Sequence, residues 1–205
     1  MSVASRKQES PASSLFELVA IVAVAVLLAF VIQAFLVKPF RIPSESMEKT
    51  LNVGQRVLVD RVSFHFTDPH RGDIVVFKPP AGADAQPPTC GAAARTDGMP
   101  CDRPTPGQSD NNYIKRIVAE PGDRLKVLDG KVYLNGRRQS EPFAENCPDC
   151  ELLDREITIP PDHFFMMGDN RGQSADSREW GPVPRDSIVG NAFFTYWRPN
   201  RIGPL

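Results

Sequence analysis

Charge of one sign is what this sequence has least of: 24 Lys and Arg stand against 25 Asp and Glu, a formal net charge of −1. No global field therefore recruits nucleic acid, and a polyanion-binding role loses its usual warrant. After residue 37 no extended stretch of 3.6-residue apolar periodicity appears, and no repeat of 20 to 50 residues is visible, which excludes long helical bundles and solenoids. Histidine is scarce, with three in the chain. Disorder throughout is excluded from the other side, because hydrophobic residues make up 41% and charged residues 24%, enough apolar side chain for one real core. Gly and Pro are abundant, 14 and 20, so turns interrupt the fold often.

One long hydrophobic run is present. From Leu18 to Val37 no residue is charged and only Gln33 is strongly polar, a length that at about 1.5 Å per residue covers the roughly 30 Å of bilayer hydrocarbon. Glu17 and Lys38 bracket it, and Pro39 and Pro43 oppose helical continuation. A cleaved secretory signal is the alternative, but its apolar stretch is about 7 to 15 residues and leads to a small-x-small site, whereas this run exits into Lys-Pro-Phe. The run predicts a retained transmembrane helix over 18–37. Arg6 and Lys7 precede it and Lys38, Arg41, Lys49 and Arg56 follow. Counting these charges does not orient it, because large domains cross membranes with little regard to the count.

Beyond the run, β-branched apolar stretches recur at Val57–Val59, Ile74–Phe77, Ile114–Val118, Leu125–Leu128, Val132–Leu134 and Ile157–Ile159. Each is of strand length. Asp129-Gly130 separates two of them by two residues, the signal of a type I′ hairpin, and Asn135-Gly136 offers a second tight turn. The reading is mainly β: an antiparallel, barrel-like sheet domain on a single N-terminal transmembrane helix. Residues 79–112 hold seven Pro and four Gly but no Val, Ile, Leu, Phe, Tyr or Trp. They are read as a surface insertion that builds no core, with a mobile lid or partner loop as the functional alternative. Cys90 and Cys101 lie in that insertion and Cys147 and Cys150 in a second loop. Two local disulfides outside the cytoplasm fit this placement, four thiolates on zinc are an alternative, and a thioredoxin-like role lacks its βαβ context.

Chemistry concentrates just after the anchor. In Ile42-Pro43-Ser44-Glu45-Ser46-Met47 two serines alternate in a proline-led segment and share a side. A serine hydroxyl needs a base to become a nucleophile. His65, His70 and His163 each have an adequate structural reading, so a Ser-His-Asp triad is disfavoured. Lysine serves instead when burial destabilises its ammonium form, and Lys115, in Tyr113-Ile114-Lys115-Arg116-Ile117-Val118, shares its strand face with Tyr113 and Ile117. A solvated or snorkelling lysine is the alternative. A third polar segment runs from Gly168-Asp169-Asn170-Arg171 through Ser174-Ala175-Asp176-Ser177-Arg178.

Taken with Arg71-Gly72-Asp73-Ile74-Val75-Val76-Phe77 and Glu120-Pro121-Gly122-Asp123, these segments stand in the order found in the bacterial type I signal peptidases, and the chain resembles that family of membrane-anchored Ser-Lys endopeptidases. The resemblance implies Ser46 as nucleophile, Lys115 as general base, Ser174 orienting the lysine amine and Ser44 contributing to the oxyanion hole. It implies Ile42, Met47, Leu51, Tyr113 and Ile114 along the substrate cleft, no metal and no cofactor. Arg116, Asp169, Asp176 and Arg178 look like supporting ion pairs. Two positions depart from the family's usual pattern: Glu45 replaces a common glycine and Lys49 a common proline.

The organisation this suggests is a cytoplasmic tail 1–17, a span 18–37 and an extracytoplasmic peptidase domain 38–205, carrying the insertion 79–112 and a reduced accessory hairpin and cysteine loop over 124–162. The expected partners are signal-peptide-bearing precursors, cut after small-x-small sites, and the lipid bilayer of the bacterial cytoplasmic membrane. Oligomeric state is not legible. An anchored β-rich interaction module without catalysis, using the insertion as its binding surface, is the alternative function.

Overall fold

The computed structural model describes residues 11–31, 36–91, 93–94, 101–145, 147 and 153–205. Helix α1 is Pro11–Val31, and its side chains from Leu15 to Val31 are exposed, among them Phe16, Ile21 and Phe30. Among the described residues no helix is long and apolar enough to cross a membrane. Residues 32–35 of the expected span lie outside the described residues, and Val37 belongs to strand β1, Val37–Arg41. Val37, the last residue of the expected span, therefore stands in a strand and not in a helix. Pro39 accounts for this, since it disfavours helical backbone at the residue before it and offers no N–H of its own.

Strands then follow in chain order: β2 (Arg56–Asp60), β3 (Ile74–Phe77), β4 (Thr89–Cys90), β5 (Ala93–Ala94), β6 (Tyr113–Ala119), β7 (Arg124–Leu128), β8 (Lys131–Leu134), β9 (Arg137–Arg138), β10 (Leu153–Thr158) and β11 (His163–Met167). After the short helix α2 (Ser177–Trp180) come β12 (Val183–Pro184), β13 (Ile188–Trp197) and β14 (Gly203–Pro204). The fold is mainly β, as the sequence predicts. An eight-stranded sheet runs β1-β2-β13-β3-β6-β11-β12, with β14 paired to β13. A four-stranded sheet runs β10-β7-β8-β9, and β4 and β5 form a separate ribbon. Among the described residues every pairing is antiparallel.

Both turns marked by glycine form as expected. Asp129 and Gly130 have φ of 50° and 69°, and Asn135 and Gly136 have 53° and 78°. Positive φ at both central residues matches the right-handed twist of the strands they join, which is why Asn or Asp followed by Gly is favoured there. The first turn pairs Leu128 with Lys131 and the second pairs Leu134 with Arg137. The segment read as a hairpin thus carries three strands in succession, and β10 completes its sheet.

Three apolar clusters hold these layers. One joins Val118, Leu125, Val127, Val132, Leu134, Ile157 and Phe165 beneath the four-stranded sheet. A second gathers Ile42, Met47, Leu51, Val57, Val59, Ile74, Val76 and Ile114. The third packs Val75, Phe77, Ile117, Phe164, Met166, Trp180 and Val183. Ala83 of the insertion belongs to that third cluster, and Cys101 and Thr105 are buried as well. The expectation that 79–112 contributes nothing to a core is therefore corrected: small side chains enter where large ones are missing. A disulfide joins Cys90 to Cys101, which removes those two sulfurs from any four-thiolate zinc site. Cys147 is also disulfide-bonded, and Cys150 lies outside the described residues.

Candidate active site

The strand-to-turn passage after β1 sets the two serines. Ser44 is extended, with φ of −131° and ψ of 164°, and Glu45–Met47 forms a 3-10 turn. Met47 and Leu51 fix this turn from below, because both are fully buried in the second cluster. Lys49 has φ of 74°, a value that a proline ring forbids. The departure from the family's usual proline thus goes with a turn that proline cannot make. Ser44 Oγ and Ser46 Oγ are 3.3 Å apart, within hydrogen-bond reach of each other. Ser46 is buried and Ser44 exposed.

Lys115 lies mid-strand in β6, opposite Val75 of β3, and is 3% exposed. Burial lowers its pKa from 10.5 to about 8. Asp176 acts against that shift by favouring the ammonium, Arg178 acts with it, and Glu179 and Asp169 weakly favour the ammonium again. Desolvation wins because it penalises the charged form directly, while the nearby charges largely offset one another. A lysine with this pKa is an amine in an appreciable fraction of molecules near neutral pH, which an exposed lysine is not.

A loop between β11 and α2 closes the far side. Asp176 is fully buried and caps α2 by accepting from the Arg178 N–H. It also accepts from Arg178 Nε at 2.8 Å, from Arg178 Nη2 at 2.9 Å, from the Gly168 N–H at 3.0 Å and from Ser174 Oγ at 2.7 Å. Burial raises the Asp176 pKa, but the Arg178 guanidinium, Lys115 and the Gly168 N–H outweigh it and hold the carboxyl below its usual range. Arg178 Nη2 donates further to the carbonyls of Arg171 and Ser174. Asp169 receives a two-pronged contact from Arg116, at 2.9 and 2.7 Å, and a hydroxyl from Thr50. The ion pairs expected from the resemblance are thus present, each with additional donors that compensate its desolvation.

Glycine is required at one point of this loop. A Cβ on Gly168 would collide with Ser174 Oγ and with the Ser46 carbonyl oxygen. Ser46 is tied to the loop beside it, since its carbonyl accepts the Asn170 N–H at 3.1 Å and Glu45 O accepts from Asn170 Nδ2 at 3.2 Å. Gly168 and Asn170 appear in the quoted motif, but nothing in the sequence reveals that they clamp the serine turn. Only the close approach shows it.

A cleft of about 400 Å³ opens between these pieces, lined by Phe40, Ile42, Ser44, Ser46, Tyr113, Ile114 and Lys115, with Val76, Gln173 and Ala175 among its other walls. It gathers Ser44, Ser46, Lys115, Ile42, Tyr113 and Ile114 from the residues expected on sequence grounds. Met47 and Leu51 are not among its lining residues; both are fully buried in the second apolar cluster, which also contains the lining residues Ile42 and Ile114. Ser174 is half-buried between the lining residues Gln173 and Ala175, and its hydroxyl is directed to Asp176. None of the three histidines lines the cleft: His65 and His70 are exposed, and His163 bonds the Pro161 carbonyl through Nδ1 at 2.7 Å. A hydroxyl and a buried, readily neutralised amine lining one cleft are the parts that acyl transfer needs.

The family profile described as signal peptidase, peptidase S26, matches residues 15–197. A signal peptidase I of Leptolyngbya laminosa is 36% identical over 199 residues, covering 97% of this chain and 86% of the relative. A signal peptidase I of Bacillus licheniformis is 30% identical over 205 residues, covering 96% of each chain. A solved signal peptidase I from Enterococcus faecalis is 22% identical with a TM-score of 0.41, over 61% of this chain and 97% of that one. The chain belongs to the signal peptidase family, peptidase S26, and is by that membership a serine-type peptidase.

Proposed function

We propose that the protein removes N-terminal signal peptides from secretory precursors with a Ser-Lys dyad. The observation that carries this reading is that Lys115, buried and with its pKa lowered to about 8, lines the same cleft as Ser46. In the first half-reaction the neutral Lys115 amine takes the Ser46 hydroxyl proton as Oγ attacks the scissile carbonyl. The oxyanion forms beside Ser44 Oγ and the Ser46 N–H. Lys115 then passes the proton to the departing amine, leaving an ester on Ser46 and releasing the mature chain. Water, deprotonated by the same amine, cleaves the ester and frees the signal peptide. Ser174 orients the lysine amine from the loop held by Asp176. Edges of the Ile42–Ser44 segment and of β6 at Ile114 pair with an extended substrate, and shallow apolar walls favour alanine-sized side chains at the first and third positions before the cut.

The chain is anchored by the uncharged run 18–37, with 1–17 in the cytoplasm and 38–205 outside, where a Cys90–Cys101 disulfide persists. Support for the anchor lies in the row of exposed apolar side chains along α1, a face that water does not favour. Expressed in bacteria, the full chain stays with the membrane fraction after carbonate washing; release into the supernatant removes the anchor. In detergent, the full chain cuts a precursor carrying an Ala-x-Ala site once, and product masses place the cut after the second alanine. Intact precursor, or scattered cuts, refutes the activity.

A further inference from the structure

The insertion 79–112 brings a carboxylate to the edge of the cleft. Asp84 accepts hydrogen bonds from Tyr113 Oη, from Asn111 Nδ2 at 3.0 Å and from Ser109 Oγ at 3.1 Å. These donors are neutral, so they position the carboxylate without cancelling its charge, and Tyr113 foremost among them holds its pKa below the usual range. Beside it opens a second cavity of about 440 Å³, lined by Asp84, Gln86, Tyr113, Ala175 and Glu179 with Ala83 at its back. Tyr113 and Ala175 line both this cavity and the cleft that holds Ser46. The two spaces share a wall, and the second has a carboxylate from the insertion and another from α2.

We propose that this second cavity is a subsite for a cationic side chain, lysine or arginine, of the substrate polypeptide near the scissile bond, with Asp84 and Glu179 as its specificity-determining residues. The proposal rests on the peptidase reading above. An extended chain advances about 3.3 Å per residue, so a peptide lying in the first cleft reaches the shared wall within a few residues of the cut. The small side chains of Ala83, Ala85 and Ala175 leave room for a long stem. Two carboxylates supply too few ligands to dehydrate a divalent cation, and among the described residues no group of three or more His, Cys, Asp or Glu is assembled for one. An organic cation keeps part of its hydration and needs no such cage. The insertion then has a use that its composition does not disclose, since it carries one wall of a binding pocket.

The test is a scan of peptides that share one Ala-x-Ala site, with a single Lys placed in turn at each flanking position and Gln as the control at the same place. With the full chain in detergent, one position is expected to give a Lys-over-Gln ratio in kcat/KM of about five, the size that partly exposed ion pairs support. It shrinks towards one in 1 M salt. In Asp84→Asn combined with Glu179→Gln the ratio falls to about one, and because it is a ratio within one variant, a general loss of rate cancels. A flat scan, or a preference that survives the double substitution, overturns the proposal. If no peptide is cut, the peptidase reading falls and binding decides this one separately. Anisotropy of the labelled Lys and Gln peptides on Ser46→Ala then supports the subsite only if Lys binds tighter and the two carboxylate substitutions abolish the difference; equal binding overturns it.

Discussion

The two larger sheets bury different things. Beneath the four-stranded sheet a continuous apolar cluster runs from Val118 and Leu125 to Ile159 and Met167, with Asp123, just before β7, as a buried carboxylate. At the cleft end of the eight-stranded sheet, Lys115, Asp169, Asp176 and Arg178 are buried together within reach of the serine turn. Both regions are built from the same antiparallel pairing, so strand geometry does not account for the contrast. A buried charge is costly unless paired and hydrogen-bonded, and the cleft region meets that cost with several donors for each carboxylate. The buried Arg171 is tied to both regions: it donates to Gly168 O on the cleft side and to Gly130 O and Glu141 on the other. The lesson is a division of labour: one sheet supplies stability through apolar burial, and the other spends stability on holding an amine in an environment that disfavours its charge.

The largest effect that tests this division belongs to the proposed dyad. Ser46→Ala and Lys115→Ala should each lower precursor cleavage by about 10⁴-fold or more, with the melting temperature of Ser46→Ala unchanged within a few degrees. Ser44→Ala should cost less, about 10² to 10³ in kcat, as for a lost oxyanion donor. Normal processing by either dyad variant breaks the comparison at its functional side. On the other side, Leu125→Ala empties part of the apolar cluster, and should destabilise by about 2–5 kcal/mol in urea unfolding. Its kcat at low temperature should stay near the parent value. A large fall in kcat with little change in stability would show that the apolar sheet is coupled to the chemistry after all.

Much of this contrast was legible before the structure, and the exceptions are instructive. The Asp129-Gly130 and Asn135-Gly136 turns and the strands β3, β6, β7 and β8 follow from local signals, because a two-residue turn and a β-branched run carry their geometry with them. Strand β13, the central partner of β2 and β3, was not anticipated: Gly190 and Asn191 interrupt its pattern, and its register shifts against both neighbours. Strand β11 was missed as well, since His163–Met167 is aromatic and Met-rich instead of alternating. Ser46 and Lys115 are singled out as a pair by the resemblance; spacing alone reads both as ordinary loop and strand residues. For Met47 and Leu51 the sequence is ambiguous, because an apolar residue beside a reactive turn reads equally well as pocket wall or as core. The insertion was misjudged because composition counts large apolar side chains and overlooks Ala83, Thr105 and a disulfide. Thr105 is buried with its hydroxyl bonded to the Trp180 carbonyl and the Gly91 N–H, contacts of high sequence separation that no local pattern encodes.

The smallest effect sharpens the comparison most, since it reads the burial of one amine in two independent ways. In the proposed mechanism only the neutral form of Lys115 accepts the serine proton, so kcat should rise about tenfold per pH unit below about 8 and level off above it. Glu179→Gln removes a charge that favours the ammonium and should move this midpoint to lower pH. The linked effect on folding has a definite sign. Between about 8 and 10.5 the unfolded chain holds a proton on this lysine that the folded chain has lost, so stability rises with pH through that window and is lowest below it. Lys115→Met removes this contribution: the variant, inactive, should gain stability relative to the parent below pH 8, and the gain should vanish by about pH 10.5. Urea unfolding of both proteins at several pH values measures it. A pH-independent difference between them would mean that Lys115 is solvated as an ordinary ammonium, and the cleft would then have no more claim to chemistry than the apolar sheet beside it.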